Sequence, residues 1–262
     1  MRTLARAVGS RDIGGEPLPT IFRTFDVNKI VIRRAEVSMI AGTPGAGKST
    51  LALAIALKTN VPTLYISADT NAHTMAMRLL SMISGQSQSV AEQMLIENVE
   101  DSRKKINENS GHIFWSFESA PTLVDLDLEV SAFEELWGCP PTLIVVDNLM
   151  DIANDSGEEF AGMRSTIKEL KYLARDTNAA VLILHHTKES YVGNPCQPRS
   201  ALQGMVAQLP ALICTIGSNA PGYIAVAPVK NRYGKADPTG DTSFWLQFNP
   251  EIMEVSDIPE RI

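Results

Sequence analysis

The sequence predicts an α/β fold: a mostly parallel sheet flanked by helices, with antiparallel strands at its C-terminal side. Three observations predict it. Between about residues 36 and 186, short apolar runs alternate with helical stretches, the pattern of a parallel sheet with crossover helices. Beyond that, apolar runs follow one another directly, which favours antiparallel pairing. The 262 residues are 44% hydrophobic, which suits one large domain with a full core.

Residues 1–30 mix Gly, Pro and scattered Arg without lasting periodicity and read as an arm. The core begins with "EVSMIAG", a short strand that runs into a glycine-rich turn. "GKSTLALAIALKT" is apolar all round, as expected of a buried helix. "PTLYISA" is the next strand, and "AHTMAMRLLSMISG" a helix closed by Gly85. Glu92 to Asn109 reads as one exposed polar helix, and "HIFWSF" as a strand. A loop and an acidic helix follow, carrying Asp125, Asp127, Glu129, Glu134 and Glu135. "PTLIVVDN" is a strand, and Met163, Ile167, Leu170 and Ala174 mark one face of the next helix. "AAVLILHH", "PALICTIG", "GYIAVAPVK" and "TSFWLQF" are the remaining strands. The ATPase-type domain implied below is taken as 31–250, with a tail at 251–262.

The net charge of −7 argues against a general nucleic-acid coat but allows a local basic channel. Cys139, Cys196 and Cys214 form no C-x-x-C pair, so neither zinc nor a disulfide framework is expected. No stretch reaches the roughly 18 apolar residues of a membrane span. A soluble, cytoplasmic chain without membrane partners is expected.

"GTPGAGKS" matches G-x-x-x-x-G-K-[ST] in full, between a strand and a helix. Gly42, Thr43, Pro44, Gly45, Ala46, Gly47, Lys48, Ser49 and Thr50 are the candidate phosphate cradle for ATP. Glycines let backbone N–H groups converge on phosphate oxygens, and a helix N-terminus favours negative charge. Lys48 would reach the terminal phosphates, and Ser49 with Asp147 would hold Mg²⁺. Asp69 ends a strand, where it would activate water or merely cap the following helix. His185 and His186 end another strand, and successive residues there point to opposite faces.

These elements in this order resemble the ATPase core of the RecA/DnaB-type hexameric helicases, from about Ile30 to Phe248. "YISADTNAHTMAMRLLSMISG" resembles the family's segment with a catalytic glutamate, Asp69 standing in its place one methylene shorter. "AVLILHHTK" resembles the strand with the γ-phosphate sensor, and His186 fits that role. The loop after it would line a ring's channel, with Lys188 and Arg199 meeting single-stranded DNA. "VKNRYG" resembles the family's K-x-R-x-G hairpin. The resemblance implies that Lys230 and Arg232 enter a neighbouring subunit's ATP site. It therefore implies a DNA-stimulated ATPase, a ring helicase or translocase built as a homo-hexamer. The arm at 1–30 would be able to dock on a neighbouring subunit. A RecA/RadA-like filament ATPase and a slow regulatory scaffold are the alternatives.

Overall fold

The computed structural model describes residues 15–153, 159–188 and 193–259. Residues 1–14 of the expected arm, the tip of the expected DNA loop at 189–192 and the end of the tail at 260–262 lie outside the described residues. The strands are β1 (Val37–Gly42), β2 (Thr63–Ser67), β3 (Ile113–Ser116), β4 (Leu143–Asp147), β5 (Ala180–His186), β6 (Leu212–Gly217), β7 (Tyr223–Asn231), β8 (Phe244–Asn249) and β9 (Glu254–Asp257). The α-helices are α1 (Arg23–Val27), α2 (Lys48–Thr59), α3 (Ala72–Ser84), α4 (Gln88–Glu97), α5 (Val99–Ser110), α6 (Leu123–Trp137) and α7 (Glu159–Asp176).

The nine strands among the described residues join one sheet in the order β3-β2-β4-β5-β1-β6-β7-β8-β9. β1 to β6 pair in parallel, and β7, β8 and β9 extend the sheet antiparallel. The predicted fold class is the observed one. β1, β2 and β4 are buried over their whole length, as a sheet covered on both faces requires.

Alternation along the strands sorts side chains to two cores. Ile40, Tyr65, Val145 and Leu182 face α2, α3 and the α1 region, packing with Leu51, Ile55 and Leu79. Val37, Met39, Ile144 and Ile183 face α6 and α7, packing with Phe133, Ile167 and Leu170. The predicted face of α7 is the buried one: Met163, Ile167, Leu170 and Ala174 are all within 2% of full burial.

Three local features differ from the sequence expectation. The polar helix expected over Glu92–Asn109 is two helices that break at Asn98, whose backbone (φ −122°, ψ 52°) is not helical. Ser102 bridges the break by donating to the Met94 carbonyl at 2.9 Å. Residues 15–30 do not trail from the domain: Leu18, Phe22, Phe25 and Ile30 are buried in the core. Residues 254–257, expected within the tail, form β9. Asp257 accepts from the backbone N–H groups of Arg23 and Thr24 at 2.7 and 2.8 Å, tying β9 to the start of α1.

Candidate nucleotide-binding site

Four parallel strands deliver the candidate groups to one edge of the sheet. β1 ends at Gly42, β4 at Asp147 and β5 at His186, while Asp69 lies just past the end of β2. The register sets them side by side: Gly42 pairs with His186, and Ser67 with Asp147. The C-terminal edge of parallel strands is where open α/β sheets bind ligands.

The loop from Gly42 to Lys48 fits backbone, not side chains. Gly45 and Gly47 have φ of 76° and 90°, values that L residues rarely adopt. A Cβ on Gly42 would stand 2.7 Å from the Ile216 carbonyl oxygen, so β6 holds the loop from behind. Gly47 is the N-cap of α2 and supplies no side-chain cap, leaving the first N–H groups of a 12-residue helix facing the loop. The Lys48 ammonium donates to the carbonyls of Gly42 and Thr43 at 3.1 and 3.0 Å and lies 3.4 Å from His186 Nδ1. Burial pulls its pKa down, and the fields of Asp147 and Asp69 oppose that.

Asp147 is 3% exposed. Burial raises its pKa, while hydrogen bonds from Ser49 and Tyr65 favour its carboxylate. The Tyr65 hydroxyl donates to Oδ2 at 3.1 Å. Asp147 and Ser49 thus form a pair of oxygen donors in contact, the set a hard divalent cation such as Mg²⁺ accepts. Asp69 is exposed and acts electrostatically on Lys48, Asp147 and His186. It does not cap α3: Asn71 does, accepting from the Thr74 N–H at 2.9 Å.

The two histidines have different surroundings. His186 faces Lys48, and burial together with that cation lowers its pKa. His185 is fully buried, its Nε2 2.9 Å from the Gln203 carbonyl, and its pKa falls to about 4. It is neutral at pH 7 and donates from Nε2 to that carbonyl. Lys188 is exposed, and its backbone N–H donates to Ala201. Arg199 acts electrostatically on Lys230. It lines a cavity of about 1060 Å³ with Lys230, Gln208 and Asp241.

Lys230 and Arg232 lie at the other edge of the sheet. Lys230 pairs with Ile213 and Asn231 with Leu212, which in turn pairs with Ser38 near the start of β1. The Arg232 N–H donates to the Ala211 carbonyl, and the Ala211 N–H to that of Val37. Arg232 is therefore level with the start of β1, about 16 Å along the strand from Gly42 at ~3.3 Å per residue. Lys230 Nζ donates to the carbonyls of Ala207 and Gln208 at 2.9 and 2.7 Å. Burial, then Arg232, Arg199 and Lys171, lower its pKa to about 8.

Three further residues belong to the site and are not singled out by the sequence. Tyr65 sits mid-strand among aliphatic residues, and a buried tyrosine hydroxyl needs a partner, which is the available signal. Arg78 reaches Thr70 Oγ1 at 3.4 Å and its field is felt at Asp147. Asp151 has a buried Oδ2 with no hydrogen-bond partner among the described residues, and burial raises its pKa. Only the folded chain brings these residues to Asp147 and His186.

Residues 26–190 match the family model for the AAA domain. A gene 65 protein of Mycobacterium phage L5 is 33% identical over 98% of this chain and 99% of its own length. This chain belongs to the AAA domain family. Its match to that family begins before the expected domain start, in the α1 residues that the structure packs into the core. A mouse DNA repair protein, RAD51 homolog 4, is 27% identical over 175 residues, 62% of this chain and 49% of that protein. Among solved structures, a DnaB-like replicative helicase described with its interactions with primase superposes at a TM-score of 0.78, with 15% identity over 98% of this chain and 67% of that one. A second solved structure, of an isolated ATPase domain, gives the same TM-score and identity, with 96% of that chain covered. This AAA domain thus has the fold of a helicase-type ATPase. No helix among the described residues is long and apolar enough to cross a membrane.

Proposed function

We propose that the chain is an ATP-hydrolysing motor stimulated by single-stranded DNA, a ring helicase or translocase in DNA replication or repair. One observation carries this reading. Lys48, Asp69, Asp147 and His186 converge on one sheet edge, whereas Lys230 and Arg232 occupy the other. A chain so built holds both halves of a catalytic site but cannot bring them together within itself. Copies arranged head to tail can, and a closed ring of six is the proposed assembly. The ATPase domain of this reading takes in residues 31–250 together with the packed residues 15–30 and β9.

In this reading the Gly42–Thr50 loop and the α2 N-terminus hold the phosphates, and Lys48 exchanges the two loop carbonyls for phosphate oxygens. Ser49 and Asp147 would hold Mg²⁺, which neutralises charge on the phosphates when bound. Asp69, exposed at the mouth, takes the proton from the attacking water. His186, 3.4 Å from Lys48, reports whether the γ-phosphate is present. Arg232 and Lys230 from the next chain offset charge on the transferring group, a contribution on the order of 10³-fold or more. Lys188 and Arg199 contact DNA phosphates.

The test mixes Lys48→Ala chains with Arg232→Ala chains and measures ATPase activity with and without single-stranded DNA. Recovery above either variant alone is expected; none, or full DNA-independent turnover by a monomer, sinks the reading. A second reading is a recombination ATPase that forms open filaments, and the similarity to a DNA repair protein, RAD51 homolog 4, is in keeping with a role in repair. Electron microscopy on DNA with an ATP analogue separates rings from filaments.

A further inference from the structure

The cationic hairpin at the far edge of the sheet is held by a residue that no motif includes. Glu36 immediately precedes β1, and its side chain is 12% exposed. Its Oε1 accepts from Arg232 Nη1 at 2.9 Å and from the Tyr233 hydroxyl at 2.8 Å. The Arg33 guanidinium lies over the Tyr233 ring, 4.7 Å from its centroid. Together these contacts hold the Arg232 and Tyr233 side chains against the residues that lead into β1.

We propose that Glu36 is the positioning residue for Arg232 when Arg232 acts in a neighbouring subunit's ATP site; the inference rests on the shared-site reading above. Stability alone is a poor explanation of the pair. The Arg232 side chain is 41% exposed, and ion pairs that exposed contribute little. Glu36 Oε2, meanwhile, is buried without a hydrogen-bond partner among the described residues, an arrangement that costs free energy. A carboxylate kept in that state needs another use.

The geometry supplies one. Glu36 engages the guanidinium through one nitrogen and not as a two-pronged pair, so donors remain for a phosphoryl oxygen. An unrestrained arginine loses much of its rotamer freedom on docking, and a pre-held one loses less. Like charge makes the restraint necessary: Arg232, Arg199 and Lys171 all act on Lys230, and Glu36 is the opposing charge there. Without Glu36, repulsion from this cluster would swing Arg232 out toward solvent. The contact also ties the hairpin to the strand whose other end is the phosphate loop.

The experiment places Glu36→Ala on a chosen side of the shared site. Chains carrying Lys48→Ala donate only Arg232, and chains carrying Arg232→Ala supply only the nucleotide side. Glu36→Ala on the donor chain is expected to lower kcat of the mixture about tenfold with the KM for ATP unchanged, because the finger acts on the transition state. The same substitution on the Arg232→Ala chain is expected to change nothing. Glu36→Gln on the donor keeps an acceptor oxygen without the charge, so a smaller loss of about threefold is expected. Should Glu36→Ala lower the melting temperature, the two placements of Glu36→Gln decide. Equal losses in the two placements, or no loss from the donor, overturn the proposal. No recovery in the parent mixture overturns the shared-site reading and this inference with it, and is seen before Glu36 is touched.

Discussion

Asp147 shows at the scale of one residue how function opposes stability. Its carboxylate is buried, with its pKa raised from 3.8 by desolvation. The folded state therefore releases this proton at higher pH than the unfolded chain does. Stability is lost as pH rises through that window, and the loss persists at neutral pH. Asp147→Asn keeps an oxygen for the Tyr65 hydroxyl and removes the charge. It is expected to abolish ATPase activity while stabilising the chain by about 1 kcal/mol, a rise of ~2–4 °C in Tm. The gain should vanish as the melting pH is lowered well below 3.8, where the wild-type group is protonated in both states. A variant that is inactive and less stable at pH 7 would contradict the argument.

At the scale of elements, the junction between β2 and α3 divides two tasks that spacing alone leaves merged. In the sequence, Asp69 is as good a helix cap as a catalytic base. The structure gives capping to Asn71 and leaves the Asp69 carboxylate in the open. Asn71→Ala is accordingly expected to cost about 1 kcal/mol of stability and spare most ATPase activity. Asp69→Ala should do the reverse, losing turnover with Tm nearly unchanged. Elements with strong apolar runs or fixed motifs are legible in advance: β1, α2, β4, β5 and the phosphate loop each carry their signal within one short stretch of sequence. β9 is not, because a four-residue edge strand with Val255 as its buried apolar residue carries no periodic signal. The break at Asn98 is hidden because no Gly or Pro marks it and α5 is mostly polar, with no apolar stripe to set its phase apart from α4. Tyr65, Arg78 and Glu36 are illegible for a different reason: each matters through a partner between 69 and 196 positions away.

The whole molecule is acidic, and in the proposed ring only its channel would present cations to DNA. Such binding depends on an assembled channel that gathers the cations of several chains onto one DNA strand. Fluorescence anisotropy is expected to show single-stranded DNA binding only with an ATP analogue, weakening steeply between about 50 and 200 mM salt. Tight binding without nucleotide, insensitive to salt, would argue against a channel formed by assembly. One further consequence follows from β1. The strand carries the phosphate loop at one end and Glu36 just before the other, with every residue between them buried. Its length is therefore a gauge. Inserting one residue would turn each side chain to the wrong core and add about 3.3 Å between loop and hairpin. Relatives that keep the shared site should vary the letters of this strand freely among apolar residues but never their number.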